Sequence, residues 1–163
     1  MNTRPAGPDD VEFLKRMLYE AARWNPDWPY EPIEQVLAEP TLRRYWEGWG
    51  RDGDAGVIAE LDGEPVGAAW FRRFAADEPG YGFVDEKTPE LGIAVDPMHR
   101  RKGIGETLLR ALMVQAREEG YGALSLSVAP HNRSRMMYQR AGFSKVGESG
   151  GSWTMRVDLT GTA

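Results

Sequence analysis

The chain has no cysteine. Disulfide frameworks, thiolate zinc sites and cysteine nucleophiles are thereby excluded. Histidine is almost missing too: His99 and His131 are the only two. They do not form H-E-x-x-H, which excludes a histidine-rich metal site, and no metal is expected. No G-x-S-x-G elbow occurs, which argues against a serine hydrolase of the α/β type. No run approaches the roughly 20 apolar residues that span a bilayer, and no signal-peptide core follows Met1. A cytoplasmic protein without a membrane partner is expected. Basic excess is also lacking. The formal net charge is −5, whereas nucleic-acid binders usually carry a basic footprint, so no nucleic-acid partner is expected.

What is present suits a soluble domain. The 163 residues, 41% of them hydrophobic, suffice for a core of ordinary size. With no repeat, low-complexity run or linker, residues 1–163 read as one domain. Asn2 to Pro5 suits a short first strand. Val11, Leu14, Leu18 and Ala22 recur at helical spacing, predicting a helix to about Arg23. Pro26, Pro29 and Pro32 then interrupt, and a shorter helix is predicted at Ile33 to Ala38, with a further turn at Leu42 to Trp46. Asp62-Gly63 between two apolar alternations signals a hairpin of Gly56 to Leu61 with Glu64 to Arg73.

The second half alternates strand and helix: a strand at Glu90 to Val95 and a helix from about Gly103 to Glu119. A strand around Leu124 to Val128 and a helix from Ser134 to Ala141 follow. Two closing strands meet across Gly150-Gly151. The fold class is mixed α/β around one sheet.

The densest chemistry lies between Glu90 and Phe143. Arg100-Arg101-Lys102-Gly103-Ile104-Gly105 joins an apolar strand to an amphipathic helix. Glycines let backbone N–H groups converge, and a helix start adds partial positive charge, so this loop is suited to a pyrophosphate. It lacks both the G-x-G-x-x-G of dinucleotide binders and the G-K-[ST] of a P-loop. About thirty residues on come Asn132-Arg133-Ser134, Met137-Tyr138 and Ala141-Gly142-Phe143.

This combination resembles the Gcn5-related N-acetyltransferase (GNAT) superfamily. The resemblance implies a central mixed sheet of six to seven strands, splayed at the fourth and fifth and flanked by about four helices. It implies transfer of an acetyl group from acetyl-CoA to a primary amine, by direct attack in a ternary complex. The amine belongs to a small molecule or a peptide. The alternative is a non-catalytic acyl-CoA sensor or interaction module. A homodimer is compatible with the family, with Trp153 and the terminal strands as a surface.

The resemblance also implies roles for residues. The backbone of Arg100, Arg101, Lys102, Gly103, Ile104 and Gly105 would wrap the CoA pyrophosphate, with a hydroxyl donor from Thr107. The backbone of Ile93, Ala94 and Val95 would pair with the pantetheine arm. Asn132 would bond that arm or hold the splay, or simply cap the following helix. Tyr138 falls where the family has the acid that protonates the leaving thiol. Its pKa near ~10 keeps a phenol protonated at neutral pH.

Glu90 is the first candidate for the base that deprotonates the amine, with Asp85 and Glu86 as competitors. Trp24, Trp28, Tyr30 and Phe83, with Glu90, are candidates for the acceptor pocket, against a bland reading of the aromatics as satellite core. Trp46 and Trp49 are weighed on the same terms.

Overall fold

The computed structural model describes residues 1–160. Seven strands, β1 (Asn2–Pro5), β2 (Ala55–Leu61), β3 (Glu64–Arg72), β4 (Glu90–Val95), β5 (Ala123–Val128), β6 (Ser144–Ser149) and β7 (Ser152–Asp158), form one sheet. Its order is β1-β2-β3-β4-β5-β7-β6. The one parallel pair is β4 with β5. Among the described residues there are five helices, one more than expected: α1 (Val11–Ala22), α2 (Ile33–Leu37), α3 (Pro40–Trp46), α4 (Ile104–Glu118) and α5 (Ser134–Arg140).

The hairpin forms where expected. Asp62 and Gly63 take φ of +53° and +82°, the left-handed pair that a two-residue turn between twisted strands requires. Side-chain alternation along the strands then sorts the core onto two faces. Val57, Ala59, Ala69, Phe71, Leu91, Leu124 and Leu126 pack under α4, which buries Ile104, Leu108, Leu109, Leu112, Met113 and Ala116. Ile58, Ala68, Trp70 and Ala94 face the opposite way, against Leu14, Met17 and Leu18 of α1, Leu37 of α2 and Tyr45 of α3.

A buried ion pair ties α3 to the end of β3. Arg72 donates through Nε and Nη2 to the two carboxylate oxygens of Asp54 at 2.9 and 2.7 Å, and through Nη1 to the carbonyls of Arg44 and Glu47. Both side chains are 1% exposed. A pair so fully desolvated costs about 3–5 kcal/mol when one partner is removed. The position of α3 over the sheet is thereby set.

Candidate active site

β4 and β5 touch at one end and then part. Their register has a single pair, Glu90 with Ser125, and Ser125 N–H donates to Pro89 O at 3.0 Å. In a strand, alternate residues point their backbone groups to opposite neighbours. Pro89 O faces β5, so Leu91, Ile93 and Val95 present their N–H and C=O to the opening gap. Ala94 presents its own to β3, as Asp96 does through its N–H bond to Val66 O. Of the three residues expected to pair with an extended ligand, Ile93 and Val95 therefore face the gap and Ala94 does not. Val95 O accepts Arg100 Nε at 3.0 Å, as an oxygen without a ladder partner would.

Beyond β4 the loop turns with Arg101 at φ +64° and Gly103 at φ +82°. Gly103 caps α4, and a Cβ built on it would meet nothing within 4 Å. Gly105, in the first turn, has Met137 Sδ at 3.5 Å from such a Cβ. The helix start thus has open space beside Gly103. Arg101 and Lys102 are exposed. Arg100 is turned back onto Val95 O and toward Glu20 of α1, at 3.4 Å. Thr107 spends its hydroxyl on Gly103 O at 3.1 Å. The backbone and the Arg101 and Lys102 ammonium and guanidinium groups remain as donors for an anion.

At the closed end of the gap sits Glu90, 3% exposed. Its Oε2 accepts the hydroxyl of Tyr45 at 2.5 Å. Its Oε1 is buried without a hydrogen-bond partner, and so is Ser125 Oγ, on the residue paired with Glu90 across the strands. Burial pushes the Glu90 carboxyl up from 4.5 to about 7, against weaker pulls downward from Tyr45 and the Gly82 backbone. Gly80 and Gly82 roof this place. A Cβ on Gly80 would fall on Glu90 Oε1, and one on Gly82 would strike the Leu126–Ser127 peptide of β5. Only glycine allows the loop so close.

The sequence match is decisive at this point. The Acetyltransferase (GNAT) family model matches residues 16–143. The chain belongs to the GNAT acetyltransferase family. The streptothricin acetyltransferase of Streptomyces lavendulae is 32% identical over 157 residues, covering 90% of this chain and 81% of that protein. An uncharacterized N-acetyltransferase of Archaeoglobus fulgidus is 30% identical, covering 93% and 98%. In fold, the chain resembles the paia N-acetyltransferase of Thermoplasma acidophilum, solved with coenzyme A. The TM-score is 0.71 at 20% identity, over 97% of this chain and 99% of that one. It equally resembles yncA of Salmonella typhimurium, solved with acetyl-CoA, at TM-score 0.70 and 21% identity over 100% and 96%. The protein is an N-acetyltransferase that takes its acetyl group from acetyl-CoA and delivers it to an amine. The splayed strands and the open, glycine-capped helix start fit that donor.

The remaining residues expected in a GNAT site fall in three groups. Tyr138 of α5 is buried, edge-on to Phe143 at 5.8 Å between ring centroids. Burial alone pushes its phenol well above the ordinary tyrosine range, so it stays protonated. Asn132 accepts Ser134 N–H on Oδ1 at 2.9 Å, closing a turn just before α5 and leaving its Nδ2 donors. Asp85 and Glu86 are exposed and engaged. Desolvation works to raise Asp85, but hydrogen bonds from Thr88 and Lys87 outweigh it and hold its carboxyl below the usual range. Glu86 accepts the Ala76 N–H at 2.9 Å.

The aromatic candidates separate. Phe83 packs on the core face that holds Tyr45 and lines a cleft with Tyr81, Asp85, Glu148 and Arg156. Trp24 and Trp28 instead pack on each other at 5.4 Å, with the Arg23 guanidinium over Trp28, and Tyr30 is 82% exposed. Their segment is tied back to α1 through Tyr19 and Arg23 to Glu31. Trp46 and Trp49 belong to the core around α3, with Lys15 over the Trp46 ring and Arg72 over the Trp49 ring. Trp153 has Arg135 and Lys145 over its ring, both from its own chain.

Sequence reading passed over Tyr45, Gly80, Gly82 and Ser125 as site residues. Two glycines flanking Tyr81 outside any hairpin were the available signal, because such glycines mark close backbone approach.

Proposed function

We propose that Glu90 is the general base and Tyr138 the general acid of this N-acetyltransferase. The acceptor is the primary amine of a small molecule or a peptide. The observation that carries the reading is the buried Glu90 carboxyl. Its Oε1 is unpaired, as is Oγ of Ser125, the residue in register with it at the closed end of the β4–β5 gap.

An alkyl ammonium has a pKa near ~10.4 and must lose a proton before it can attack. A carboxyl at about 7 is basic enough to share that proton and is ionised in half the molecules at neutral pH. Two buried polar atoms left without partners mark a place that a polar group must enter, the amine itself or a bridging water. Bound acetyl-CoA supplies the activated acyl thioester.

Ile93, by its backbone groups, and Val95, by its N–H, hold the extended arm, while Val95 O stays with Arg100. Gly103, Ile104 and Gly105 offer N–H groups to the pyrophosphate, and Arg101 and Lys102 add charge. Asn132 supports α5 and offers Nδ2. Tyr138, neutral because buried, donates its proton to the departing thiolate, whose conjugate thiol has a pKa of about 8.5. Direct attack within a ternary complex needs no covalent protein intermediate, in keeping with a chain that has no cysteine.

The small-molecule acceptor of the relative from Streptomyces lavendulae supports an amine of that kind, and one relative is a [ribosomal protein bS18]-alanine N-acetyltransferase. We place the enzyme in the cytoplasm as one catalytic domain over 1–163, without nucleic acid. Among the described residues no helix is long and apolar enough to cross a membrane.

The test is thermal unfolding with acetyl-CoA, CoA and NAD, followed by turnover on an amine panel. Stabilisation by the CoA species alone, with acetylation lost in Glu90→Gln, is expected. Binding without turnover of any amine would refute the catalytic roles and leave a sensor.

A further inference from the structure

The Tyr45 hydroxyl has two partners and no part in the chemistry just described. It donates to Glu90 Oε2 at 2.5 Å and accepts the backbone N–H of Tyr81 at 2.7 Å. The same helix grips the same loop twice more. Arg44 Nη1 donates to Pro79 O at 2.9 Å, and Tyr81 Oη bonds Thr41 Oγ1 at 2.8 Å. Thr41, Arg44 and Tyr45 stand at i, i+3 and i+4, so one face of α3 carries all three bonds. They hold Pro79 to Tyr81 over Glu90, with Gly80 against Oε1. One oxygen of the carboxylate is tied down, the other makes no hydrogen bond, and the Gly82 backbone adds a weaker pull toward the charged form.

We propose that Tyr45 is the positioning residue for Glu90. By holding Oε2 it fixes the carboxylate with Oε1 toward the acceptor and favours its ionised, proton-accepting form. The proposal rests on Glu90 being the base.

No other charged group takes that part. Arg72 lies opposite Glu90 in the β3–β4 register, but its guanidinium is spent on Asp54 and two carbonyls. Arg44 is committed to Pro79 O, and Arg43 to Glu47. From the loop, Asp85 and Glu86 are occupied by backbone N–H groups. On the β5 side, Ser125 is neutral, and Arg156, paired with it across β7, acts on Asp85. Tyr81 turns its own hydroxyl to Thr41. Among the described residues, Tyr45 is the one side chain that donates to Glu90.

The experiment compares kcat/KM against pH in wild type, Tyr45→Phe, Thr41→Val and Glu90→Gln. It adds the carboxyl ¹³C titration of Glu90, assigned by its loss in Glu90→Gln. Phenylalanine keeps the ring that packs edge-on against Phe74 at 5.0 Å, so the fold is retained. Losing a donor to the charged form raises the carboxyl by about one pH unit. From a starting value of about 7, Tyr45→Phe then loses about fivefold in kcat/KM at pH 7 and almost nothing at pH 9.

The acid limb and the ¹³C midpoint move upward together. Thr41→Val loosens the loop without touching Oε2, so both stay in place there. An unmoved limb and midpoint in Tyr45→Phe would overturn the proposal. So would an equal movement in Thr41→Val, which would assign the effect to the loop. Full activity with an unchanged acid limb in Glu90→Gln would instead remove the base reading itself. The ¹³C midpoint would then still report the Tyr45 bond, so the two failures remain distinct.

Discussion

Glu90→Gln should make the protein more stable, and increasingly so as the pH rises. In the native state the carboxyl titrates at about 7, and its ordinary value is 4.5. Between those values the folded protein holds a proton that the unfolded chain has released, so stability falls as the pH climbs. The favourable contribution is complete below about 4.5 and gone above about 7. At 1.36 kcal/mol per unit, the span corresponds to about 3 kcal/mol. Glutamine does not titrate, and every other group is common to both proteins, so the pH dependence of the difference isolates Glu90. For a chain of 163 residues, each kcal/mol moves Tm by about 2–4 °C. The gap between variant and wild type should therefore widen by about 6–12 °C from pH 4.5 to pH 8.5. Melts of both proteins in parallel buffers, without CoA, read it directly. Glutamine has its own hydrogen-bonding needs, but these give a constant offset. A gap that stays constant across that range would refute the reasoning, because it would mean the carboxyl titrates normally and is not desolvated.

Two further outcomes are expected at the donor end. Tyr138→Phe should lower kcat about 10²-fold, the usual scale for losing an acid, while the Kd for CoA shifts little, because the ring packing on Phe143 survives; full retained kcat in a stopped assay would remove the acid role. Gly103→Val forces a β-branched residue to φ +82° at the head of α4. It should raise the KM for acetyl-CoA at least tenfold in a folded protein, and an unchanged KM would remove the pyrophosphate cradle from this loop.

The fold was legible largely because its signals are local. Helical periodicity at Val11, Leu14 and Leu18, the Asp62-Gly63 turn and Gly120 at φ +91° after α4 each act within a few residues. The proposed donor half was legible as structure for the same reason, since loop and helix start are contiguous from Arg100 to Gly105. The acceptor half was not. Tyr45 and Glu90 are 45 residues apart and meet only because α3 is anchored through Arg72 and Asp54. The tryptophans stand at the other extreme. Trp24, Trp28 and Tyr30 are conspicuous in the sequence, yet they pack among themselves or stand in solvent, away from Tyr45. Thr107 and Arg100 likewise suit an anion by type, yet the Thr107 hydroxyl goes to Gly103 O, and Arg100 turns to Val95 O and Glu20.

The treatment of Arg72 explains how the buried carboxyl of Glu90, our proposed base, can keep its affinity for a proton. Glu90 would be least costly to bury if the guanidinium on the neighbouring strand paired with it, and the β3–β4 register sets Arg72 directly opposite. Such a pair would hold the carboxylate far below neutrality and remove its appetite for a proton. The structure diverts that guanidinium instead to Asp54, 18 residues away in sequence, where both charges are satisfied and equally buried. Glu90 is left with a phenol, a donor strong enough to orient a carboxylate and too weak to neutralise it. The ion pair that anchors α3 and the neutral donor that α3 offers to Glu90 are thus two parts of one arrangement. A carboxyl raised toward neutrality is kept dry and oriented at the end of the gap where we propose that the acetyl group arrives.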